Sequence, residues 1–192
     1  MKQEIISVLL RRVASTSVGP STVRRMGPKG TIKAAREFLA DLDLGSFAKK
    51  TDNEFQAVLD RATEQFVNHL PKGARHWGAA RKFLNIFLRQ AVYNRFLGEH
   101  YKLYPIEQWL EVPVDSHVAK GLRKEKGGNV LPRWRTVFGL DKETNQKYQV
   151  FATEVARRKE TYRVHLDLIY WRHEFVAAHT SFHRTRQTLP CQ

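Results

Sequence analysis

Apolar residues recur at helical spacing along most of the chain. The stretch GTIKAAREFLADLDLG, 30–45, has Ala, Phe and Leu at that spacing and a glycine where a helix would stop. The stretch TDNEFQAVLDRATEQFVNHL, 51–70, opens with Thr51 and Glu54, the pattern of a capping box. Its apolar residues then repeat on one helical face: Phe55, Val58, Leu59, Ala62, Phe66 and Val67. Both stretches predict helices.

A short basic turn joins the second of these helices to another one. In LPKG, 70–73, Pro71 suits the second position of a tight turn and Gly73 suits the fourth. The following WGAARKFLNIFLRQAVYNRFL, 77–97, predicts one long helix with a broad apolar stripe. The stripe consists of Phe83, Leu84, Phe87, Leu88, Ala91, Val92 and Phe96.

The remaining segments are also helical in character. The first residues, MKQEIISVLLRRVAS, predict an amphipathic helix, because an acid precedes the apolar run and Arg11 and Arg12 follow it, unlike a secretory signal. Four further elements are expected along the chain: a short helix over 104–113 ended by Pro113, another over 115–124, an exposed loop over 125–134, and one long or two consecutive helices over 143–176. The sequence therefore predicts an all-α fold.

The length of 192 residues is enough for a single domain with its own core. If the domain has two small lobes, we expect residues 1–50 to join residues 125–180 in one lobe and residues 51–124 to form the other. Residues 181–192 are expected to be a mobile tail. No stretch approaches the length and apolarity of a membrane span, and nothing in the sequence demands an assembly, so we expect a monomer that does not enter a membrane.

Basic residues outnumber acidic ones by a wide margin. The chain has 33 Lys and Arg against 19 Asp and Glu, a formal charge of +14. The excess is uneven, since residues 34–70 hold 4 basic and 7 acidic side chains, whereas residues 71–135 hold 13 and 5. Such a surplus most often serves a polyanion, with nucleic acid first among them. A generally basic protein without such a partner is the alternative.

Cysteine and histidine give little sign of a metal or cofactor. Cys191 is the sole cysteine, which leaves no disulfide framework, thiolate zinc site or four-cysteine iron-sulfur cluster, and suits a reducing cytoplasm. His179 and His183 have the i, i+4 spacing that zinc sites use, but the segment lacks the Glu of a zinc-protease motif, so chance explains the spacing better. We expect neither a metal nor a cofactor.

Asp115 follows VPV at the expected start of the 115–124 helix. Pro113 keeps Val112 extended, and the carboxylate of Asp115 can then cap the helix. Helix amides favour the ionised form of a capping carboxylate. A fixed anion of this kind could stabilise the oxocarbenium ion that forms when an N-glycosidic bond breaks. Plain helix capping, the commoner role of an aspartate here, explains the same residue.

The turn after residue 70 has the features of a phosphate clamp. Its exposed amides and surrounding cations would grip a DNA backbone of any sequence without reading bases. The expected DNA contacts are Lys72, Gly73, Arg75, His76, Gly78 and Arg81. Lys82 lies near the start of the next helix, where burial and the helix dipole both favour a neutral amine, which is a nucleophile able to form a Schiff base. A solvated Arg81–Lys82 pair that touches phosphate is the open alternative.

Together these two segments resemble the helix-hairpin-helix superfamily of base-excision DNA glycosylases. VPVDSH, 112–117, is similar to the segment that carries the catalytic aspartate in the 8-oxoguanine glycosylase branch, and LPKG through WGAARK, 70–82, is similar to the hairpin that ends in the lysine nucleophile. The separation of 33 residues between Lys82 and Asp115 resembles the longer spacing of the archaeal members. The family usually has two closely spaced glycines after Leu-Pro, whereas KGARHWG follows Pro71 here.

The resemblance implies a helix-hairpin-helix fold and an enzyme that flips a modified base out of double-stranded DNA and cleaves its N-glycosidic bond. Asp115 would be the essential acid, Lys82 the nucleophile of a possible lyase step, and His117 a DNA backbone contact. Trp77, Asn85 and Trp171 are the candidate base-pocket residues, Trp171 because related enzymes place an aromatic from a C-terminal helix against the base.

Three functions remain open from the sequence. In overall appearance the chain also resembles the anti-phage glycosylases that remove glucosylated hydroxymethylcytosine from T-even phage DNA, and this is the favoured expectation, with action on nucleoid-associated DNA in a bacterial or archaeal cytoplasm. An 8-oxoguanine glycosylase/lyase of base-excision repair is the second. The third is a non-catalytic helical DNA-binding module, in which Asp115 only caps a helix and Lys82 only touches phosphate.

Overall fold

Helices make up the regular structure of residues 2–23 and 26–171, which are the residues that the computed structural model describes. Seven α-helices lie wholly within these residues: α1 (Lys2–Ser17), α2 (Thr31–Ala40), α3 (Asp52–His69), α4 (Trp77–Tyr93), α5 (Arg95–Tyr101), α6 (Ser116–Lys124) and α7 (Lys142–Arg158). Short 3-10 turns form at Leu44–Phe47, Lys72–Ala74, Tyr104–Trp109, Gly128–Val130 and Arg163–His165. The all-α prediction is confirmed for this part of the chain. Among these helices, none is long and apolar enough to cross a membrane.

Helices α1 to α5 enclose the first of two apolar clusters, which we call the first core. Helix α1 packs on α2 and α4, and α3 packs on α2 and α4. The capping box of α3 is present as expected: the Glu54 amide donates to the Thr51 hydroxyl, and the Glu54 carboxylate accepts from the Thr51 amide. The largest fully buried side chains of the first core include Phe47, Phe55, Phe66, Phe83 and Phe87.

The long helix expected over 77–97 is interrupted at Asn94. Helix α4 ends at Tyr93, and the Asn94 side chain accepts a hydrogen bond of 3.2 Å from the amide of Leu97, so that Asn94 is the N-cap of α5. The break turns Phe96 outward, where it is 61% exposed. The single-helix prediction was therefore wrong at its end, and Phe96 does not belong to the buried stripe.

The second core is built from residues between 112 and 170. Its members come from the extended segment 112–114, from α6 and α7, from Leu131 and Leu140, and from the helical residues 166–171, which we call the C-terminal segment. The chain breaks after α7, where Glu160 has a φ of 52°, so the expected helical region over 143–176 is at least two helices. The first core also takes in Val137 and Val164 from this part of the chain. The two-lobe division, with residues 1–50 joined to 125–180, stays a prediction. The expected tail, 181–192, lies outside the described residues.

Candidate active site

One face of α4 carries three cations into the seam between the two cores, and a carboxylate from residues 110–171 meets each of them. The pairs are Arg81 with Glu111, Lys82 with Asp115, and Arg89 with Asp167. The side chains are 12% exposed or less. Because charges at such depth are stable only when paired, the seam fixes α4 against the second core.

Asp115 is held at the end of an anchored extended segment. Gln149 of α7 pairs with both backbone groups of Val112: the Val112 amide donates to Oε1 (3.0 Å), and the carbonyl accepts from Nε2 (2.8 Å). Oδ1 of Asp115 then accepts from the amides of His117 (2.9 Å) and Val118 (3.1 Å), so Asp115 is the N-cap of α6. The capping prediction is confirmed, and Asp115 as a whole residue is 6% exposed.

Lys82 supplies the second functional group of the site. Its Nζ lies 3.4 Å from Oδ2 of Asp115, and the two side chains are 9% and 8% exposed. Oδ1 of Asp115 therefore caps α6, and Oδ2 faces the Lys82 amine. Lys82 is the sixth residue of α4, so it lies beyond the first turn. The helix dipole acts most strongly within that first turn.

Arg81 is almost fully buried and is engaged by protein groups, so the prediction that it contacts a DNA phosphate was wrong. Its guanidinium donates to both oxygens of Glu111 at 2.8 Å, to Asp60 at 3.0 Å and to Thr63 at 2.9 Å. The residue is 3% exposed and lies over the ring of Trp77. Burial opposes ionisation of Glu111, but Arg81 outweighs it, and the pKa of Glu111 falls below its usual range.

Asn85 belongs to the same buried network. Its Nδ2 donates to Glu111 at 3.0 Å, while its Oδ1 is buried without a hydrogen-bond partner. Asn85 is 2% exposed, so its side chain does not face solvent. Contact with a base edge stays a prediction.

The phosphate clamp expected around residues 70–81 is only partly exposed. Lys72, Gly73 and Arg75 are exposed on a 3-10 turn, and Arg75 also donates to the Leu70 carbonyl. Gly78 is buried: a Cβ there would lie 2.2 Å from the Val137 carbonyl oxygen. Gly78 therefore lets residues 137–140 pack on the start of α4, and our prediction that it offers its amide to a phosphate was wrong.

Three aromatic residues were expected at the site: His76 as a DNA contact, and Trp77 and Trp171 in the base pocket. His76 stacks on Phe138 with ring centroids 3.9 Å apart, and Trp77 packs against the second core beneath Arg81. Trp171, by contrast, is 40% exposed, and its ring centroid lies 4.6 Å from that of His117 on the first turn of α6. An accessible indole thus lies beside the helix start that Asp115 caps.

Asp167 is a member of the site that the sequence analysis missed. It is 6% exposed and ion-paired with Arg89. Burial raises its pKa, Arg89 opposes the rise, and Asp115 reinforces it, so Asp167 shares the electrostatic environment of Asp115. The available signal was an acid directly after Leu166, which is fully buried.

Within residues 2–23 and 26–171, no group of three or more His, Cys, Asp or Glu side chains could hold a metal ion. Comparison of the chain with protein-family models, curated proteins and solved structures finds no match. The class established by the fold is an all-helical protein whose two apolar cores meet at a charged seam.

Proposed function

We propose that this protein is a DNA glycosylase that flips out a modified base and cleaves its N-glycosidic bond, leaving an abasic site. The observation that carries the proposal is the buried pair of Lys82 and Asp115, 3.4 Å apart, with one oxygen of Asp115 fixed by α6. A nucleophilic amine beside a fixed anion is the combination that base excision with a lyase step requires.

In the proposed reaction the electrons of the C1′–N bond leave with the base, which takes up a proton from the Lys82 ammonium. Positive charge grows on the deoxyribose as the bond breaks, and the carboxylate of Asp115 stabilises it. The Nζ of Lys82 that has given up this proton then bonds to C1′, the C1′–O4′ bond breaks with one amine proton passing to O4′, and loss of a further proton gives an imine. Capture by water instead would leave a simple abasic site. Trp171 offers an accessible ring on which a flipped base can stack.

The favoured substrate is glucosylated hydroxymethylcytosine in phage DNA, which makes the protein an agent of phage defence. This choice rests on the resemblance described above, as does the second candidate base, 8-oxoguanine. The exposed cations of the 70–76 turn, Lys72 and Arg75, and the formal charge of +14 favour a DNA backbone as the partner in both cases.

A non-catalytic DNA-binding module is the second function that an observation favours. Two neighbouring pairs, Arg81 with Glu111 and Arg89 with Asp167, cross the same seam, so Lys82 and Asp115 also fit a row of structural ion pairs. The module would bind DNA in a salt-sensitive manner and release no base.

Incubation with defined DNA separates these functions. The substrates are phage DNA that carries glucosylated hydroxymethylcytosine, 8-oxoguanine duplexes, and unmodified duplexes of matched sequence. We expect abasic sites in the first substrate, whereas abasic sites in the 8-oxoguanine duplex alone would assign a repair enzyme. Salt-sensitive binding without abasic sites in any of them would contradict the glycosylase proposal.

A further inference from the structure

A groove opens at the end of α6 that lies away from Asp115. It encloses about 680 Å³ between the connection that follows α6 and one face of α7. Because α6 has nine residues and a helix rises 1.5 Å per residue, the groove begins roughly 13 Å from Asp115 along the helix. A ligand in the groove and a nucleotide at Asp115 would therefore occupy different parts of the molecule.

The floor of the groove is apolar, and part of it is open to water. Leu131 and Phe151 form the buried base, at 5% and 7% exposure. Val130 and Val150 stand beside them at 76% and 51% exposure, which places them among the most exposed large apolar residues of the described chain. An exposed apolar surface around a concave site is typical of a binding groove.

The rim of the groove is predominantly basic. Lys126, Lys147 and Arg158 line it against a single lining carboxylate, Glu154. Lys147 also pairs with Glu143, and the guanidinium of Arg158 is anchored by the Lys126 carbonyl and lies over the ring of Phe151. The rim therefore retains a positive excess, and Arg158 is held in place beside the apolar floor.

We propose that this groove docks a segment of a partner protein that presents apolar side chains flanked by Asp or Glu. The apolar floor takes the partner's apolar side chains, and the basic rim pairs with its carboxylates. This inference does not depend on the proposed glycosylase activity, because neither Asp115 nor Lys82 lines the groove.

Other possible occupants of the groove complement its basic rim and apolar floor less well. A second copy of this chain carries the same formal charge of +14, and residues 172–192 contain three arginines against one glutamate, so both would bring like charge to the rim. A nucleic acid backbone would satisfy the cations, but it would leave Val130 and Val150 without apolar partners. Phe151, at 7% exposure, presents too little ring for a base to stack on.

The test uses a fluorescein-labelled peptide of 16 residues with leucines at i, i+4 spacing and glutamates at the flanking positions. Binding to the full chain is measured by anisotropy, and the site is mapped from amide shifts in NMR spectra. We expect Val150→Glu to weaken binding about tenfold or more. Val8→Glu is the matched control, since Val8 is an exposed valine on α1, at 58%, outside the groove, and it should leave the affinity unchanged.

Two further measurements separate docking from general attraction to a basic protein. The same peptide with lysines in place of the glutamates should bind at least about tenfold more weakly, and excess duplex DNA should not displace the acidic peptide. Lack of binding, equal losses in Val150→Glu and Val8→Glu, equal binding of the lysine peptide, or displacement by DNA would each overturn the proposal. The last result would make the groove a nucleic-acid surface.

Discussion

The Lys82 amine faces Oδ2 of Asp115 at 3.4 Å, while Oδ1 of the same carboxylate accepts from two amides of α6. The neighbouring pair of Arg81 and Glu111 is bidentate at 2.8 Å, so the Lys82–Asp115 contact is the looser of the two. A longer contact between a buried amine and a fixed anion suits a site in which the Lys82 amine must move to contact a substrate. The surrounding pairs supply the rigidity.

Lys82→Gln tests the nucleophile. With DNA that carries the excised base, borohydride should trap a covalent adduct with the wild-type protein and none with Lys82→Gln, because the amide cannot form an imine. Lys120→Gln, at an exposed lysine of α6, is the control and should trap as the wild type does. An adduct that persists in Lys82→Gln would show that another residue is the nucleophile. Base release without any wild-type adduct would show that Lys82 does not act as a nucleophile.

Glu111→Gln should destabilise the fold strongly. The substitution removes the anion from a buried guanidinium, and breaking such a pair costs about 3–5 kcal/mol in the free energy of unfolding. Because the pKa of Glu111 is lowered below its ordinary value of 4.5, its contribution is present above that value and is lost as the pH falls through the folded pKa. In urea unfolding, the free energy of unfolding of the wild type should therefore exceed that of Glu111→Gln at pH 7. This difference should shrink below pH 4.5. A constant difference between the two proteins would contradict this assignment.

Asp167→Asn should show the opposite dependence on pH. The folded pKa of Asp167 lies above its ordinary value of 3.8, so its ionised form costs stability at neutral pH, and this cost fades as the pH falls through the folded pKa. The free energy of unfolding of the wild type, relative to Asp167→Asn, should therefore increase from pH 7 towards pH 4. A decrease over the same range would show that Arg89 outweighs burial at this carboxyl group.

Gly78→Ala should cost about 1–3 kcal/mol in the free energy of unfolding, as overpacking of a tight contact does. The added methyl would meet the Val137 carbonyl oxygen at 2.2 Å, and backbone must move to accommodate it. Gly73→Ala is the control, because its nearest neighbour is Cδ of Pro28 at 3.3 Å on an exposed turn. Equal thermal stability of both variants would mean that residues 137–140 do not cover the start of α4.

Local sequence signals predicted the helices and the cap of α6 well. The capping box at Thr51 and the aspartate after Val-Pro-Val each act through hydrogen bonds within three residues, and both formed as the pattern indicated. The Asn94 break was equally local, but a continuous apolar stripe obscured it. Helical periodicity alone does not distinguish one helix from two that share an apolar face.

The composition of the charged seam could not be predicted from local pattern. Arg81 and Lys82 are adjacent cations in the sequence, and only the position of Glu111, 30 residues further on, makes Arg81 a structural residue. Asp167 is separated from Arg89 by 78 residues. Burial of a charge depends on a partner that the fold brings from a distance. Local pattern therefore could not separate buried cations from exposed ones.

The most direct test of the central claim compares two aspartates that cap helices. Asp115 caps α6, and Asp141 caps α7 by accepting from the Thr144 amide at 2.7 Å. Asparagine is also a good N-cap, so Asp115→Asn and Asp141→Asn should both fold and both bind DNA. We expect Asp115→Asn to release no detectable base from glucosylated hydroxymethylcytosine DNA in an abasic-site assay, whereas Asp141→Asn releases it at the wild-type rate. Base release by a folded Asp115→Asn at the rate of Asp141→Asn would show that Asp115 is only a helix cap.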